Sequence, residues 1–441
     1  METKNLFLIN DTEAFMRGEL DNVTVAGGHI VLDLVQGAYV PYGCYTSPVI
    51  PLPVFDTLYP SWNADTPPGT AVEVQARVTV DGNWTAWSSF GRWSPFMRRE
   101  GGKPGVRGPM VLQPDSLELD SKVANQAQLR IYLYTKNEKA TPAVGLLAAS
   151  GRPANTIPAG GRPVNGRLHL PAYSVYRRAP ALRRQMDLAV SIASLTNRWG
   201  ADILPEELAL ASYDWQNAGR PNLCFGAAVA GCWGFPSWVR WADLAALRCE
   251  IRAGYGVVVV LNANTTQQVE GLPADRFTAL RGFSTDPATG VQYALLNDPF
   301  STTDFDAEVR MPLDEFLVGW NNVALFLRPC ACPKEAVCPQ RNAVSLRAVG
   351  PEAPNIYQIY LNGELHLLPD DFCGAEDAPT GVLAWTAVGS KPHATTAHKT
   401  FHFTKPKCGG IELPPDDQLH TRHTVYAIDA FGQMLVGDIT L

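Results

Sequence analysis

Hydrophobic and polar residues alternate along the first 150 residues in the manner expected of β-strands. In residues 72–80, Val or Ala at each even position alternates with a polar residue at each odd position, so one face of the strand would be buried. Asp81 and Gly82 follow, a pair that tolerates the positive φ of a tight hairpin. Residues 129–133 repeat the alternation. We therefore predict an antiparallel β-sandwich over residues 1–150.

Residues 151–168 are rich in Gly, Pro and Asn without hydrophobic periodicity, and we predict a linker there. The pattern then becomes helical, because Leu188, Ile192 and Leu195 share one helical face. The elements predicted next are helices beginning at Asp187, at Pro205 and over residues 241–252, and buried strands over residues 257–261 and 293–296. An α+β domain is therefore expected over residues 169–329.

The last part of the chain, residues 330–441, is predicted to be a small β domain. Its hairpin signals are residues 356–361 and 364–368 around Asn362-Gly363, and residues 425–430 and 434–441 around Phe431-Gly432. Five of the nine cysteines lie here: Cys330, Cys332, Cys338, Cys373 and Cys408. With His393, His398 or His402 they are candidate zinc ligands, but paired Cys-x-x-Cys knuckles are absent, so disulfides or free thiols are favoured.

Composition narrows the function classes. The chain has 441 residues, 46% hydrophobic and 18% charged, which fits several folded domains. Its formal charge of −7, without a Lys/Arg cluster, argues against nucleic acid as a partner. Apolar runs are too short to span a membrane, and the N-terminus lacks the pattern of a secretory signal. The sequence indicates no cofactor, and it does not indicate a cellular compartment.

Four segments in the central region carry a resemblance. They are residues 221–231, reading Pro-Asn-Leu-Cys-Phe-Gly-Ala-Ala-Val-Ala-Gly, residues 253–260, the Leu-Arg-Gly-Phe stretch 280–283 and the Asn-Asp-Pro stretch 297–299. In this order they resemble the C39-like peptidases of bacteria. Residues 61–63 and the Trp-rich segment up to Trp93 are similar to a sandwich that precedes this domain in some relatives. The resemblance implies a papain-like α+β domain, in proteins that are often secreted or at the cell surface.

The resemblance fails at the catalytic positions. The family nucleophile lies in a Cys-Ser-Pro-Thr-Ser pattern opening the first helix, where this chain reads Asp187-Leu-Ala-Val-Ser191. The position of the family histidine is Arg276, and the third member corresponds to Asn297 or Asp298. No histidine lies between residues 169 and 366. Cysteine-dependent amide hydrolysis needs a thiolate and a proton-transferring partner, and arginine stays protonated at physiological pH.

We therefore expect a catalytically inactive relative that binds a peptide or protein segment. The candidate binding residues are Asp187, Ser191, Asn222, Arg276, Asn297 and Asp298. We further expect an Asp187–Arg276 ion pair, supported by Asn297 or Asp298; the alternative is that the pair are unrelated surface residues. The other functions considered are an active hydrolase with an unplaced nucleophile, and a structural or assembly role.

Cysteines and tryptophans outside this centre have simpler interpretations. Cys224 and Cys232 are candidate alternative nucleophiles, but we expect them to be buried free thiols. The tryptophans at positions 62, 84, 87 and 93 could form a face for stacking sugars or peptides, but a sandwich core is favoured.

Overall fold

The computed structural model describes residues 5–154, 157–178, 186–201, 203, 205–217, 219–262 and 275–329, together with six strands nearer the C-terminus. The protein consists mostly of β-sheet with few helices. The helices are α1 (Thr12–Met16), α2 (Asp187–Asn197), α3 (Pro205–Ser212), α4 (Leu223–Cys232), α5 (Leu244–Ala253) and α6 (Leu313–Gly319). Within these described segments no helix has the length and apolarity needed to cross a membrane.

The N-terminal region contains seventeen strands, of which fifteen belong to one hydrogen-bonded sheet and β5 and β6 pair separately. The strands are β1 (Leu6–Ile9), β2 (Glu19–Asp21), β3 (Val23–Ala26), β4 (His29–Leu32), β5 (Leu34–Val35), β6 (Ala38–Tyr39), β7 (Tyr42–Thr46), β8 (Ile50–Asp65), β9 (Thr70–Val80), β10 (Asn83–Trp84), β11 (Ser88–Trp93), β12 (Glu100–Gly101), β13 (Gly105–Arg107), β14 (Met110–Leu112), β15 (Leu117–Leu119), β16 (Ala124–Thr135) and β17 (Ala143–Pro153).

The predicted antiparallel strands are confirmed. Val72, Val74, Ala76 and Val78 of β9 are fully buried, and the residues between them are more exposed. The turn after β9 has φ of 50° at Asp81 and 80° at Gly82, as a two-residue hairpin loop requires.

A sandwich would have two separate sheets, whereas these strands form one hydrogen-bonded sheet. The reason is the length of β8, whose 16 residues pair with β16 near its start and with β17 further along.

The central region forms a seven-stranded sheet with the order β19-β24-β20-β21-β22-β23, and β18 pairs with β21. Its strands are β18 (Gly166–Arg167), β19 (Ser237–Trp241), β20 (Val257–Leu261), β21 (Arg276–Thr285), β22 (Gln292–Asn297), β23 (Glu308–Pro312) and β24 (Trp320–Leu327). Two 3-10 turns cover Val175–Arg177 and Phe305–Ala307. The helices predicted from Asp187 and Pro205 and both predicted buried strands are confirmed.

Two predicted element boundaries differ from the structure. Trp241 ends strand β19, so the helix predicted over residues 241–252 begins only at Leu244. Asp243 starts it, because the Asp243 carboxylate accepts the Ala246 N–H at 2.8 Å as an N-cap. In the predicted linker, β17 continues to Pro153 and β18 pairs with β21, so two parts of that segment are strands.

Buried polar contacts join the N-terminal sheet to the central region. The Asn63 amide of β8 donates to the Ala227 and Ser237 carbonyls at 3.2 and 2.9 Å, and its Oδ1 accepts the Ser237 N–H at 2.9 Å. Helix α4 approaches β8 so closely that a Cβ at Gly231 would lie 2.4 Å from the Cβ of Asn63. Trp62 and Phe225 pack edge to face nearby, with ring centroids 6.1 Å apart. The two regions therefore share one buried core.

Beyond residue 329 only short strands are described. They are β25 (Leu346–Ala348), β26 (Gln358–Leu361), β27 (Glu364–Leu365), β28 (Phe401–Thr404), β29 (Arg422–Ile428) and β30 (Met434–Thr440). Pairing of β26 with β27 and of β29 with β30 confirms both predicted hairpins. The candidate zinc ligands lie outside the described residues; they are Cys330, Cys332, Cys338, Cys373 and Cys408. Zinc binding, disulfides and free thiols therefore remain predictions.

The Asn63 contacts predict a large stability effect. Asn63→Leu should lower the free energy of unfolding by about 3 kcal/mol, because the buried Ser237 N–H loses its acceptor. The same substitution at the exposed Asn83 is the control and should change stability by less than about 0.5 kcal/mol. Urea unfolding of the full-length protein measures both. Equal effects at the two positions would contradict this account of the junction.

Candidate functional site

The N-terminus of α2 is fastened to strand β21 by two side chains. The Oδ2 atom of Asp187 accepts the backbone N–H of Phe277 at 2.9 Å, and the Ser191 hydroxyl donates to the Phe277 carbonyl oxygen at 2.9 Å. Asp187 and Ser191 are four residues apart and therefore lie on one face of the helix. Both are buried, with exposures of 0% and 2%. We call this pair of hydrogen bonds the Phe277 clamp.

The clamp satisfies backbone groups that the sheet leaves open. Strand β22 ends at Asn297, which pairs with Ala279, so Phe277 lies beyond the end of its neighbour on that side. On the other side β21 pairs with β20 through the Phe277–Val260 register. A buried N–H and C=O without partners would each cost free energy, and the two α2 side chains supply those partners.

Burial changes the acidity of the Asp187 carboxyl group. Loss of contact with water raises its pKa to about 7, against the opposing effects of the Phe277 N–H, the first N–H groups of α2 and the Arg276 charge. The carboxyl group therefore holds a proton in the folded protein up to near-neutral pH. A neutral acid at this position is not the anion that a charged pair would require.

Arg276 lies beside this carboxyl group but does not pair with it as predicted. Among the described residues no ion pair joins Asp187 to Arg276. The Asp187 Oδ2 atom is taken by the Phe277 N–H, and the Arg276 guanidinium carbon lies 4.7 Å from the Phe300 ring centroid. The predicted direct ion pair is therefore wrong. The alternative of unrelated surface residues is wrong as well, because Arg276 is 4% exposed and its charge acts on Asp187.

The predicted third members do not hold the guanidinium directly. The Asn297 amide donates to the Pro171 carbonyl at 3.2 Å, while its buried Oδ1 has no hydrogen-bond partner among the described residues. The Asp298 carboxylate accepts the Phe300 N–H at 2.9 Å. Asp298 therefore contacts the turn that carries Phe300, the ring beside the Arg276 guanidinium.

Asn222 makes its hydrogen bonds with residues other than Asp187, Arg276, Asn297 and Asp298. Its Oδ1 accepts the Phe225 N–H and caps α4, and its amide donates to Asp214 Oδ2 at 3.0 Å and to the Pro114 carbonyl at 3.2 Å. Asp214 in turn accepts the Gly101 N–H at 2.9 Å. Asn222 is fully buried, and these contacts tie α4 to the N-terminal sheet.

The cysteines and tryptophans singled out in the sequence are mostly buried. Cys224 and Cys232 are buried, as predicted, and neither forms a disulfide with a described residue; burial raises the pKa of the Cys224 thiol well above its usual value. Trp62 and Trp93 belong to the core, as predicted, but Trp84 and Trp87 are only half-buried. In the described part of the chain, no three His, Cys, Asp or Glu residues are grouped as metal ligands would be.

The raised pKa predicts a pH dependence. The unfolded-state pKa is near 3.8 and the folded-state value about 7, so the native state retains the proton that the unfolded state loses. Relative to Asp187→Asn, the wild-type protein should therefore lose stability as pH rises from about 4 to about 7, by up to about 4 kcal/mol. Urea unfolding of both proteins across this range measures the difference. Parallel pH profiles would show that the carboxyl group titrates normally.

The clamp predicts unequal costs for two serines of α2. Ser191→Ala should lower the unfolding free energy by about 1.5 kcal/mol, because the Phe277 carbonyl loses its donor. Ser194 is equally buried, but its hydroxyl donates to the Val190 carbonyl of the same helix. Ser194→Ala is therefore the matched control and should cost less than about 0.5 kcal/mol. Denaturation of the two variants at one pH provides the comparison, and equal costs would remove the tertiary role of Ser191.

Comparison with known proteins adds a family context. Residues 8–151 match the family model described as the peptidase C39 N-terminal domain. This match covers the N-terminal sheet, up to β17, and not the region of the Phe277 clamp. No curated protein matched the sequence.

Two solved structures show a distant likeness. One is a double glycine motif protease from an AMS/PCAT transporter in complex with the leader peptide, with 19% identity, covering 37% of this chain and 94% of that chain at a TM-score of 0.25. The other is the peptidase domain of Streptococcus ComA, a bi-functional ABC transporter involved in a quorum sensing pathway, with 16% identity, covering 36% and 99% at a TM-score of 0.27. The chain is thus similar to C39 peptidases, through the family match to residues 8–151.

Proposed function

We propose that this protein is a non-hydrolysing relative of C39 peptidases that binds a polypeptide segment at its degenerate centre. The observation that carries the proposal is the state of Asp187, a buried carboxyl group at the nucleophile position whose Oδ2 is engaged by the Phe277 N–H. The residue types at the two main catalytic positions, Asp187 and Arg276, follow from the resemblance described above.

Chemistry supports the absence of hydrolysis. Amide cleavage by covalent catalysis needs an activated nucleophile and a group that protonates the leaving amine. A carboxyl group with a pKa near 7 that is bound to the backbone is a weak nucleophile toward amides. Arginine at position 276 keeps its protons, so it does not serve as a general acid or base at physiological pH.

The active-hydrolase alternative finds little support in the remaining thiols. Cys224 is fully buried, and its sulfur lies 3.0 Å from the Pro60 carbonyl oxygen. Because its pKa is raised, it remains a thiol rather than the reactive thiolate. Cys232 is also buried, and no histidine lies between residues 169 and 366 to activate its sulfur.

One acceptor at the degenerate centre supports binding. Asn297 Oδ1 is buried and has no hydrogen-bond donor within the described residues, so a peptide reaches it only when the surrounding side chains move. Buried acceptors without donors are costly, so the centre favours a ligand that brings N–H groups. A peptide backbone supplies such donors at regular intervals, which is the reason for choosing a polypeptide segment over a small anion.

Hydrolysis is tested with the full-length protein. Incubation with casein and with its tryptic peptides, followed by mass spectrometry, should show no cleavage above that of a Cys224→Ser, Cys232→Ser double variant. Cleavage by the wild-type protein that this double variant lacks would overturn the inactive assignment and identify a cysteine nucleophile.

Binding is tested with the same tryptic peptides retained on the immobilised protein. Asn297→Leu removes the unpartnered oxygen and should lower retention roughly tenfold, since one charge-free hydrogen bond is worth about 1 to 1.5 kcal/mol. Asn297→Asp keeps an acceptor but loses the amide bond to the Pro171 carbonyl, so it should retain more peptide than Asn297→Leu and less than the wild type. Equal retention by wild-type and Leu variants, both folded by circular dichroism, would favour a structural or assembly role instead.

A further inference from the structure

Arg77, Arg130 and Tyr132 lie on the outward face of β9 and β16, and the rings of Trp84 and Trp87 pack beside the two arginines. The Arg77 guanidinium carbon lies 4.7 Å from the Trp84 ring centroid and 4.6 Å from that of Trp87. The Arg130 guanidinium carbon lies 4.3 Å from the Trp87 centroid and 5.2 Å from that of Tyr132. We call these five residues the arginine ladder.

The alternation of the two strands builds the ladder. Arg77 is opposite Gln128, and Arg130 is opposite Gln75, in the antiparallel register of β9 and β16. On the other face of the strands the Val, Ala, Leu and Ile side chains are buried in the core. The ladder residues are all partly exposed to solvent. A ligand can therefore reach them without rearrangement of the sheet.

Neutral amides hold both ladder guanidinium groups in place. Arg77 donates from Nε and Nη2 to Gln128 Oε1 at 3.0 and 2.6 Å, and Arg130 donates from Nε to Gln75 Oε1 at 2.8 Å. These bonds and the rings fix the guanidinium groups. The remaining Nη groups of both side chains have no acceptor among the described residues.

The ladder arginines form no direct ion pair among the described residues, although the Glu19 charge acts on Arg77. Arg92, on the same face, forms an ion pair with Glu73 at 3.3 Å. Arg77 and Arg130 form no ion pair with any described residue. Glu19 of β2, separated from Arg130 by β7 in the register, also pairs with neither of them. Two positive charges therefore flank Trp87 in a chain whose formal charge is −7.

We propose that the arginine ladder is a docking site for an acidic polypeptide segment, whose carboxylates bind the outward Nη groups of Arg77 and Arg130. Carboxylates match the guanidinium fork in shape and charge, and fixed guanidinium groups lose little entropy on binding. Trp87 is already stacked by two cations, so its ring is not a platform for a sugar. The site lies in the N-terminal sheet and is independent of whether the degenerate centre binds peptides.

The test uses the full-length protein and a short fluorescein-labelled peptide of alternating Glu and Gly residues, with fluorescence anisotropy at low salt. Arg77→Gln and Arg130→Gln should each weaken binding roughly tenfold, because each removes a charge-assisted contact. Arg92→Gln removes an arginine whose charge is already paired and is the matched control, with an expected change below about threefold. Arg130→Lys keeps the charge without the fork and should fall between wild type and Arg130→Gln.

Binding should also weaken as salt is added, since the ladder is partly exposed. A peptide of alternating Gln and Gly that binds as tightly as the acidic peptide would overturn the proposal. So would equal losses in the Arg92, Arg77 and Arg130 variants, which would indicate nonspecific attraction. Tighter binding of a short oligodeoxythymidylate than of the acidic peptide would assign the ladder to nucleic acid and would also overturn it. Near-ultraviolet circular dichroism verifies that the variants retain the ladder tryptophans in a folded environment.

Discussion

The requirement that buried backbone groups find partners explains the central site. Strand β21 extends past the end of β22, and Phe277 would expose an amide and a carbonyl to a dry interior without the two side chains of α2. Meeting this need takes an acceptor and a donor one helical turn apart, which Asp187 and Ser191 provide. Position 187 therefore has a structural task, independent of any chemistry. A residue that satisfies the backbone in this way has little capacity left for attack on a substrate.

The N-terminal sheet and the central region depend on each other in a similar way. The Asn63 side chain satisfies backbone groups of the segment that follows α4, and Asp214 does the same for Gly101 in the opposite direction. Each region thus provides the partners that the other lacks. The family match to residues 8–151 therefore concerns a part of the chain that packs against α4 and β19 of the central region. The predicted linker after residue 150 therefore does not divide the hydrophobic core into two.

Much of this architecture could be predicted because alternation reports directly on burial, as in β9 and β16. The resemblance placed Asp187 near Arg276, and in the structure the Arg276 charge acts on the Asp187 carboxyl group. The ion pair was wrong because a sequence does not reveal that the Phe277 amide competes for the same oxygen. The start of α5 was missed although Asp243 is a recognisable cap. The half-buried position of Trp87 was missed because its contacts with Arg77 and Arg130 on the outward face become visible only when the strands are aligned.

The close approach of α4 to β8 has a consequence for recognising related chains. Any side chain at position 231 would displace the helix from the strand, since even a Cβ would overlap Asn63. Gly231 and Asn63 are 168 positions apart in the sequence, yet their contact limits how the two regions meet. In a related chain, a larger residue at the position of Gly231 would indicate that its helix lies further from the strand.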